Sequence, residues 1–327
     1  MWDHKFHRGF ESHSLRHISI PKQEIRQVSA PPQWLKKRIH ITEQIEPMQG
    51  LLAHLGLHTV CESARCPNIA ECFGQGRATF MILGDVCTRN CKFCAVKSGT
   101  PSPPESDEPA RVAQAVQRLR LRYAVITSVT RDDLPDGGAS HFAQTIQQIR
   151  ATAPHAAIEV LVPDFRGSWE AIQEVVDAEP EVLGHNVETV PSLYKTVRPG
   201  ARYNRSLRLL ELVKSLDSRI YLKSGLMLGL GECKKEVTSV LEDLRKVGCD
   251  IVTLGQYLRP TKAHLQVKRF IPPEEFQDYE ALAQQMGFLA VSAGPFVRSS
   301  YRAEELWEKA KTCRQVDPLD SNRGGQV

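Results

Sequence analysis

The sequence contains no long apolar run. No stretch of its 327 residues approaches the roughly 18 to 20 apolar residues that span a bilayer. The first residues, Met-Trp-Asp-His-Lys-Phe-His, also have no apolar core of the kind found in secretory signals. These absences argue against a membrane-spanning or secreted protein, and we expect a cytoplasmic one.

A strong charge bias is also lacking. The formal net charge is only +4, and no Lys/Arg run is longer than Lys36-Lys37-Arg38. Nucleic-acid-binding proteins usually show clustered positive charge, so we expect neither nucleic acid nor a membrane as the partner. The charge balance leaves room for a modest basic surface that meets an acidic protein.

Cysteine, in contrast, is abundant and clustered. Six of the nine cysteines fall between Cys61 and Cys94. They form a first triplet spaced C-x4-C-x5-C (Cys61, Cys66, Cys72) and a second triplet spaced C-x3-C-x2-C (Cys87, Cys91, Cys94). In a reducing compartment such a cluster indicates metal binding or catalysis rather than disulfides, and the odd total does not allow complete pairing.

The spacing of the triplets narrows the choice of metal. A closed structural zinc site needs four ligands, whereas each triplet supplies three, and the ferredoxin-type run C-x2-C-x2-C-x3-C-P is absent. Three thiolates at C-x3-C-x2-C suit a four-iron cluster whose fourth iron stays open to a small molecule. We therefore interpret the second triplet as an iron–sulfur site, with zinc as the alternative.

Strands and helices alternate along most of the chain. We predict a polar N-terminal arm at 1–30, an extension carrying the first triplet at 31–78, an α/β domain at 79–292, and a C-terminal extension with a flexible tail at 293–327. Apolar runs predict strands at 78–83, 123–129, 158–162, 182–187, 220–228, 250–254 and 288–292. Helical spacing predicts helices at 110–121, 139–151, 169–176, 207–216, 235–247 and 273–286. This alternation implies right-handed βαβ units and a parallel sheet, open or closed.

Polar residues follow several of the predicted strands directly. Residues 128–133, 185–189 and 255–257 each come after an apolar run. Each segment alone is typical of a helix cap or a turn. Because the carboxyl ends of parallel strands meet at one edge, where α/β folds bind ligands, we expect the active site there.

Two sets of motifs connect these features to a known family. The second triplet, within Cys-Thr-Arg-Asn-Cys-Lys-Phe-Cys at 87–94, resembles the signature of the radical S-adenosylmethionine (SAM) superfamily. The first triplet and five further motifs narrow the resemblance to the lipoyl synthase family, over about residues 32 to 310. These motifs are Ala-Thr-Phe-Met-Ile-Leu-Gly at 78–84, Ser-Val-Thr-Arg-Asp-Asp-Leu with Asp-Gly-Gly at 128–138, Gly-His-Asn-Val-Glu-Thr at 184–189, Lys-Ser-Gly-Leu-Met-Leu-Gly-Leu-Gly-Glu at 223–232, and Arg-Ser-Ser-Tyr at 298–301.

The resemblance implies a fold, two cofactors and a reaction. The fold would be a partial (β/α)6 barrel with N- and C-terminal extensions, carrying two [4Fe–4S] clusters. The second triplet's cluster would bind SAM and reduce it to a 5′-deoxyadenosyl radical, which abstracts hydrogen from an octanoyl chain on a carrier-protein lysine. The first triplet's cluster would supply sulfur and be consumed, and two rounds would yield lipoyl. Such an unactivated C–H bond is beyond acid–base catalysis and needs a cofactor radical.

The resemblance also implies a seventh cluster ligand far along the chain. Ser300, in the Arg-Ser-Ser-Tyr motif, would be the fourth ligand of the first triplet's cluster. The local sequence alone favours a helix N-cap for this serine. The chain departs from the family pattern at Cys233 and at Arg302, which puts peripheral contacts in doubt but not the reaction.

The contacts to SAM are expected from strand ends near the presumed ligand. Asn186 and Glu188 would share one face of a strand and bond the ribose hydroxyls. Lys223 would pair with the methionyl carboxylate. Arg131 and Arg298 are further candidates, with surface salt bridges as the alternative.

The partners follow from this reaction. The substrate would be an octanoylated lipoyl carrier domain or an H-type protein, the electron donor a flavodoxin or ferredoxin, and an Fe–S carrier would rebuild the lost cluster. Two other functions stay open. One is a different sulfur-inserting radical SAM enzyme, and the other is a non-catalytic binding module stabilised by zinc or an iron–sulfur cluster.

Overall fold

The fold is taken from a computed structural model that describes residues 31–37 and 44–316. The predicted arm at 1–30 and the last residues of the predicted tail lie outside these ranges. The strands are β1 (His58–Thr59), β2 (Thr79–Ile82), β3 (Val86–Cys87), β4 (Lys97–Ser98), β5 (Tyr123–Ser128), β6 (Ala157–Leu161), β7 (Val182–Gly184), β8 (Tyr221–Leu228), β9 (Ile251–Gln256) and β10 (Ala290–Gly294). The α-helices are α1 (Ile45–His54), α2 (Val60–Ser63), α3 (Ile69–Gly74), α4 (Glu108–Arg118), α5 (Ala139–Thr152), α6 (Trp169–Asp177), α7 (Tyr194–Val197), α8 (Tyr203–Leu216), α9 (Lys234–Lys246), α10 (Pro273–Gln285) and α11 (Ala303–Val316).

Eight of these strands form one sheet in the order β1-β2-β5-β6-β7-β8-β9-β10. β1 is antiparallel to β2, and every other neighbouring pair is parallel. The sheet does not close on itself, which confirms a partial barrel. β3 and β4 form a separate small sheet within the loop that carries the second triplet.

The core lies between the sheet and the helices that connect its strands. β2, β5 and β9 are buried almost throughout, as their continuous apolar runs predict. On α9, Val237, Val240, Leu241 and Leu244 are buried, because their spacing places them on one face of the helix. The alternation predicted from the sequence is therefore confirmed.

One predicted strand is shorter than expected. In the run at 182–187, the regular strand ends at Gly184. Arg198 Nη1 donates to the carbonyl oxygens of Asn186 at 2.8 Å and Val187 at 3.2 Å, and Glu188 has a left-handed backbone with φ of 64°. The side chains of Asn186 and Glu188 are therefore not placed by regular strand alternation, although Glu188 forms an isolated parallel bridge with Leu226 of β8.

The helix α11 covers the amino-terminal edge of the sheet. Its Ala303 packs among Tyr123, Val125, Ala157 and Val182, which lie at the starts of three strands. The ring centroids of Trp307, also on α11, and Tyr123 are 5.5 Å apart. The opposite, carboxyl-terminal edge carries the candidate site. Among the described residues, no helix combines the length and the apolar character required for crossing a membrane.

Candidate active site

A cavity of about 560 Å³ lies at the carboxyl-terminal edge of the sheet. The ends of β5, β6 and β9 line it through Ser128, Leu161 and Gln256. Residues predicted for the site also line it, namely Cys61, Cys66, Cys87, Cys91, Cys94, Asn186, Glu188, Arg298 and Ser300. Cysteines of both triplets therefore face one cavity, at the edge where the sequence predicts the site.

The second triplet lies on the loop that follows β2. The backbone of this loop is fixed to the end of β5, since the Thr88 amide donates to the Thr130 carbonyl at 3.0 Å. The Cys87 sulfur accepts from the amides of Arg89 at 3.4 Å and Thr130 at 3.3 Å. Hydrogen bonds of this kind stabilise the negative charge of a thiolate ligand.

Arg89 anchors the same loop to two neighbouring strands. Its Nε lies 2.7 Å from Asp132 Oδ2 and its Nη2 lies 2.6 Å from Asp164 Oδ1, with the arginine side chain only 8% exposed. Burial alone would raise the pKa of Asp164, but the Arg89 guanidinium outweighs it and lowers this pKa to about 2. The sequence does not reveal this positioning role, because neither aspartate is close to Arg89 along the chain.

The first triplet lies on two short helices and the turn between them. Cys61 is on α2, whose N-cap Thr59 accepts from the Glu62 amide at 3.3 Å, and Cys72 is on α3. Burial raises the pKa of Cys61 to about 11 and that of Cys72 to about 12, and the nearby Cys66 thiol adds to both. The three thiols are thus close enough to influence one another's ionisation.

The thiols of both triplets fit iron–sulfur clusters. The structure joins none of the nine cysteines in a disulfide. Burial raises the pKa of Cys94 to about 12, and that of Cys91 in the same direction, so cluster binding must displace their protons. Within the described ranges, no three His, Cys, Asp or Glu side chains converge on one metal ion. A four-iron cluster does not require this, because each thiolate binds a different iron.

Long-range contacts bring Ser300 to the first triplet. Asn68 Nδ2 donates to the Phe296 carbonyl at 2.7 Å, and the Tyr301 hydroxyl donates to Glu71 Oε1 at 2.8 Å. Asn68 and Glu71 both lie between Cys66 and Cys72 in the sequence. The turn at 299–302 is thereby fixed beside the cysteines, and Ser300 faces the cavity.

Ser300 is not a helix N-cap in this structure. α11 begins at Ala303, and the residue before it, Arg302, has a left-handed backbone with φ of 52°. The neighbouring Ser299 hydroxyl donates to Asn186 Oδ1 at 3.1 Å. Ser299 is therefore already engaged by a side chain of the cavity, which favours Ser300 as the serine available to a cluster.

The position of this turn depends on a glycine in β9. A Cβ atom on Gly255 would lie 2.1 Å from the Val297 carbonyl oxygen. We expect Gly255→Ala to push residues 297–300 away from the cavity and to lower the free energy of unfolding by about 1–3 kcal/mol. Urea denaturation measures this change. Gly50→Ala is the matched control, because a Cβ there meets nothing within 4 Å, and an equal loss of stability in both variants would contradict the explanation.

Two of the residues predicted to contact SAM lie next to each other at the cavity. Asn186 Nδ2 donates to Glu188 Oε1 at 3.1 Å, and burial raises the pKa of the Glu188 carboxyl group. Arg298 also lines the cavity; burial lowers its pKa, whereas the nearby Cys66 and Glu188 groups oppose this shift. These three side chains provide a mixed set of donors and acceptors for a polar ligand.

Lys223 and Arg131 do not lie where the sequence analysis predicts. Lys223 is completely buried and its Nζ lies 2.8 Å from both carboxylate oxygens of Glu159, away from the residues that line the cavity. Arg131 Nε lies 2.9 Å from Asp133 Oδ1, and its Nη1 donates to the Leu83 carbonyl. Position at a strand end does not distinguish a ligand contact from a buried ion pair, and neither side chain is among those that line the cavity.

Arg198 lines the cavity and was missed. Besides its bonds to the carbonyl oxygens of Asn186 and Val187, its Nε is buried and has no hydrogen-bond partner among the described residues. A buried guanidinium group with an unused donor fits a carboxylate. Nothing in Thr-Val-Arg-Pro-Gly at 196–200 signals this role, because it arises from a fold that brings α7 beside the end of β7.

Comparison with protein families and curated proteins gives consistent results. Residues 81–255 match the model of the radical SAM superfamily. The chain is 55% identical over 273 residues to a lipoyl synthase of Caldanaerobacter subterraneus subsp. tengcongensis, covering 84% of this chain and 95% of that protein. It is also 55% identical over 291 residues to a lipoyl synthase of Pyrobaculum arsenaticum, covering 88% of this chain and 98% of that protein.

Two solved structures share the fold. HydG, a maturase of the [FeFe]-hydrogenase, aligns with a TM-score of 0.54 at 12% identity, covering 70% of this chain and 53% of that chain. Methylornithine synthase aligns with a TM-score of 0.50 at 12% identity, covering 81% of this chain and 86% of that chain. At this level of identity the likeness concerns the fold alone.

Proposed function

The chain belongs to the lipoyl synthase family of the radical SAM superfamily, and on this premise we propose that its two cysteine triplets hold two [4Fe–4S] clusters with different duties. Enzymes of this family use iron–sulfur clusters and SAM to insert sulfur. The observation that carries the proposal is the shared cavity, which five of the six cysteines and Ser300 line together. One substrate carbon can therefore meet both a hydrogen-abstracting group and a sulfur source without leaving the site.

The second triplet holds the cluster that works with SAM. When bound and reduced, this cluster and SAM supply the hydrogen-abstracting chemistry that an unactivated C–H bond requires. Asn186 and Glu188 orient the ribose hydroxyls, and Arg298 and Arg198 are placed to pair with the methionyl carboxylate. Arg89 holds the ligand loop against Asp132 and Asp164, which keeps the three thiolates in position.

The first triplet and Ser300 hold the cluster that serves as the sulfur substrate. Three thiolates are soft ligands suited to iron–sulfur clusters, whereas a serine oxygen is a harder ligand. We infer that Ser300 would be the most weakly held ligand of this cluster. The hydrogen bond from Tyr301 to Glu71 keeps this serine beside the cysteines.

The reaction also defines the partners. The family acts on lipoyl carrier proteins, and we propose an octanoylated lipoyl domain or an H-type protein as the form recognised here. A flavodoxin or ferredoxin would deliver the electron, and an Fe–S carrier would rebuild the consumed cluster. The carrier, the electron donor and the Fe–S carrier would all meet the enzyme in the cytoplasm.

The function is tested by anaerobic assay of the chain with both clusters loaded. Incubation with a reductant, SAM and an octanoylated carrier is expected to give 5′-deoxyadenosine and a lipoylated carrier, measured by mass spectrometry. Cleavage of SAM with an unchanged octanoyl group would exclude lipoyl synthesis. A protein that retains zinc and never cleaves SAM would indicate a binding module instead.

Ser300→Ala is expected to reduce lipoyl formation about 10- to 100-fold, because the first triplet's cluster loses a ligand. Cleavage of SAM should change by less than about twofold, since the second triplet is untouched. Ser300→Cys should retain the cluster, because a thiolate replaces the oxygen ligand. The matched control is Ser299→Ala, and a larger loss of lipoyl product in this control would reassign the ligand to Ser299.

A further inference from the structure

Three segments near the cavity carry positive charge and no negative charge. Residues 86–104, 189–210 and 251–273 contain no aspartate or glutamate. Their lysines and arginines are Arg89, Lys92, Lys97, Lys195, Arg198, Arg202, Arg205, Arg208, Arg259, Lys262, Lys268 and Arg269. The charged residues are therefore distributed very unevenly along the chain, although its net charge is only +4.

The fold brings these three segments together. The Lys92 amide donates to the Val197 carbonyl at 2.9 Å, and the Leu265 amide donates to the Lys92 carbonyl at 3.2 Å. Apolar side chains from all three segments, including Phe93, Val197 and Leu265, pack in one small cluster beneath them. The three segments thus form one continuous surface beside the second triplet.

Of these twelve cations, only Arg89, Lys97, Arg205 and Arg269 pair with a carboxylate within the described part of the chain. We group five of the other eight under one name. They are Lys92, Lys195, Arg259, Lys262 and Lys268, and we call them the basic rim. Four of them are exposed and Arg259 is half-buried. An unpaired group of this kind produces a positive potential that extends into solvent.

The opposite edge of the sheet shows the contrast. There three of the cations are neutralised locally, because Lys214 and Arg314 both contact Asp250, and Arg219 contacts Asp217. Such paired charges attract a charged partner much less. The lack of carboxylates is therefore a property of these three segments and not of the protein surface in general.

Arg259 connects the basic rim with the cavity. It lines the cavity, and its Nε donates to the His264 carbonyl at 2.9 Å. His264 Nε2 in turn lies 2.9 Å from the carbonyl oxygen of the cluster ligand Cys94. A protein bound to the rim would therefore stand at the entrance to the site where the chemistry takes place.

We propose that the basic rim docks the octanoylated carrier domain through an acidic surface beside its modified lysine. This inference rests on the proposed function, since it names how that function's substrate is recognised. The rim's position at the cavity entrance favours the carrier, whose acyl chain must enter the cavity, over a partner that only delivers an electron. Charges of this kind act mainly on the rate of encounter, and salt weakens them.

The test is a triple charge reversal, Lys195→Glu with Lys262→Glu and Lys268→Glu. Lys92 is left unchanged because it adjoins the ligand Cys91. With a chemical reductant, we expect the KM for the octanoylated carrier domain to rise about tenfold or more at low salt, and the difference from wild type to shrink as salt is added. The KM and kcat for a short, uncharged octanoyl-lysyl peptide should stay within about twofold, because the peptide makes no rim contacts.

The matched control reverses the same number of charges at the opposite edge, with Arg118→Glu, Lys246→Glu and Lys309→Glu. This control should leave the KM for the carrier domain within about twofold of the wild-type value. An equal rise in KM in both triple variants, or a rise for the peptide as well, would overturn the docking proposal.

A further experiment distinguishes docking of the carrier domain from docking of the electron donor. If the rim variant is impaired only when a flavodoxin or ferredoxin replaces the chemical reductant, the rim binds the electron donor and the proposal is wrong. If the wild-type chain makes no lipoyl product from either the domain or the peptide, the proposed function itself fails. An active wild type with an unimpaired rim variant overturns the docking proposal alone.

Discussion

Replacing Cys91 with alanine is expected to abolish both SAM cleavage and lipoyl formation. Cys91 lines the cavity together with Cys87 and Cys94, and its loss leaves a four-iron cluster with two thiolates. We expect the rate of 5′-deoxyadenosine formation to fall by about 1000-fold or more, which corresponds to about 4 kcal/mol of lost transition-state stabilisation. Anaerobic single-turnover assays with chromatographic detection measure this rate.

A cysteine outside the triplets provides the control for this result. Cys313 is exposed on α11, at the other edge of the sheet. Cys313→Ala should therefore keep both products within about twofold of the wild-type amounts. Normal SAM cleavage by the Cys91→Ala variant would remove the second triplet from the SAM-cleaving role.

Replacing Cys61 with alanine should abolish sulfur insertion but leave SAM cleavage largely intact. We expect lipoyl formation to fall by about 1000-fold or more, because the sulfur-donating cluster loses a thiolate, while SAM cleavage stays within about tenfold. The reason lies in the structure, which places Cys61 on α2 and the SAM-cleaving triplet on a different loop, after β2. Both products are quantified in the same reaction.

The iron content shows which clusters each variant still holds. After reconstitution, Cys61→Ala should hold about four iron atoms per chain and wild type about eight. Each of the two variants, Cys61→Ala and Cys91→Ala, should retain the cluster of its unmutated triplet. If both do so and yet lose 5′-deoxyadenosine and lipoyl product equally, the two triplets do not have the separate functions that we propose.

The sequence predicts most of the fold because the signals are local. Apolar runs mark each strand of the parallel sheet, and the spacing of Val237, Val240 and Leu241 marks the buried face of α9. Cysteine spacing likewise identifies the two triplets. What spacing does not give is the common cavity, since α2, α3 and the loop after β2 converge only through tertiary packing.

The sequence is least informative about charged residues, because their partners are distant along the chain. Lys223 and Glu159 are 64 residues apart, yet they form a completely buried pair. Arg198 was overlooked for the same reason, because its place in the cavity depends on backbone carbonyls at the end of β7. A buried charged group loses its hydration, so it needs either a partner within the protein or a bound ligand. Only the structure shows which of these two a given residue has.

The position of Ser300 illustrates how family resemblance and structure complement each other. Local sequence favours an N-cap, whereas the structure begins α11 three residues later and fixes the turn through Tyr301 and Glu71. Those two residues are 230 positions apart, so no local pattern could reveal the contact. The geometry is what supports Ser300 as a ligand in this chain.

The central claim is that the first triplet's cluster is the sulfur substrate and the second triplet's cluster survives. The most direct measurement is the iron content of the protein before and after one complete turnover with an octanoylated carrier. We predict a fall from about eight to about four iron atoms per chain, in proportion to the lipoyl product formed. Lipoyl formation with all of the iron still bound to the protein would contradict the account.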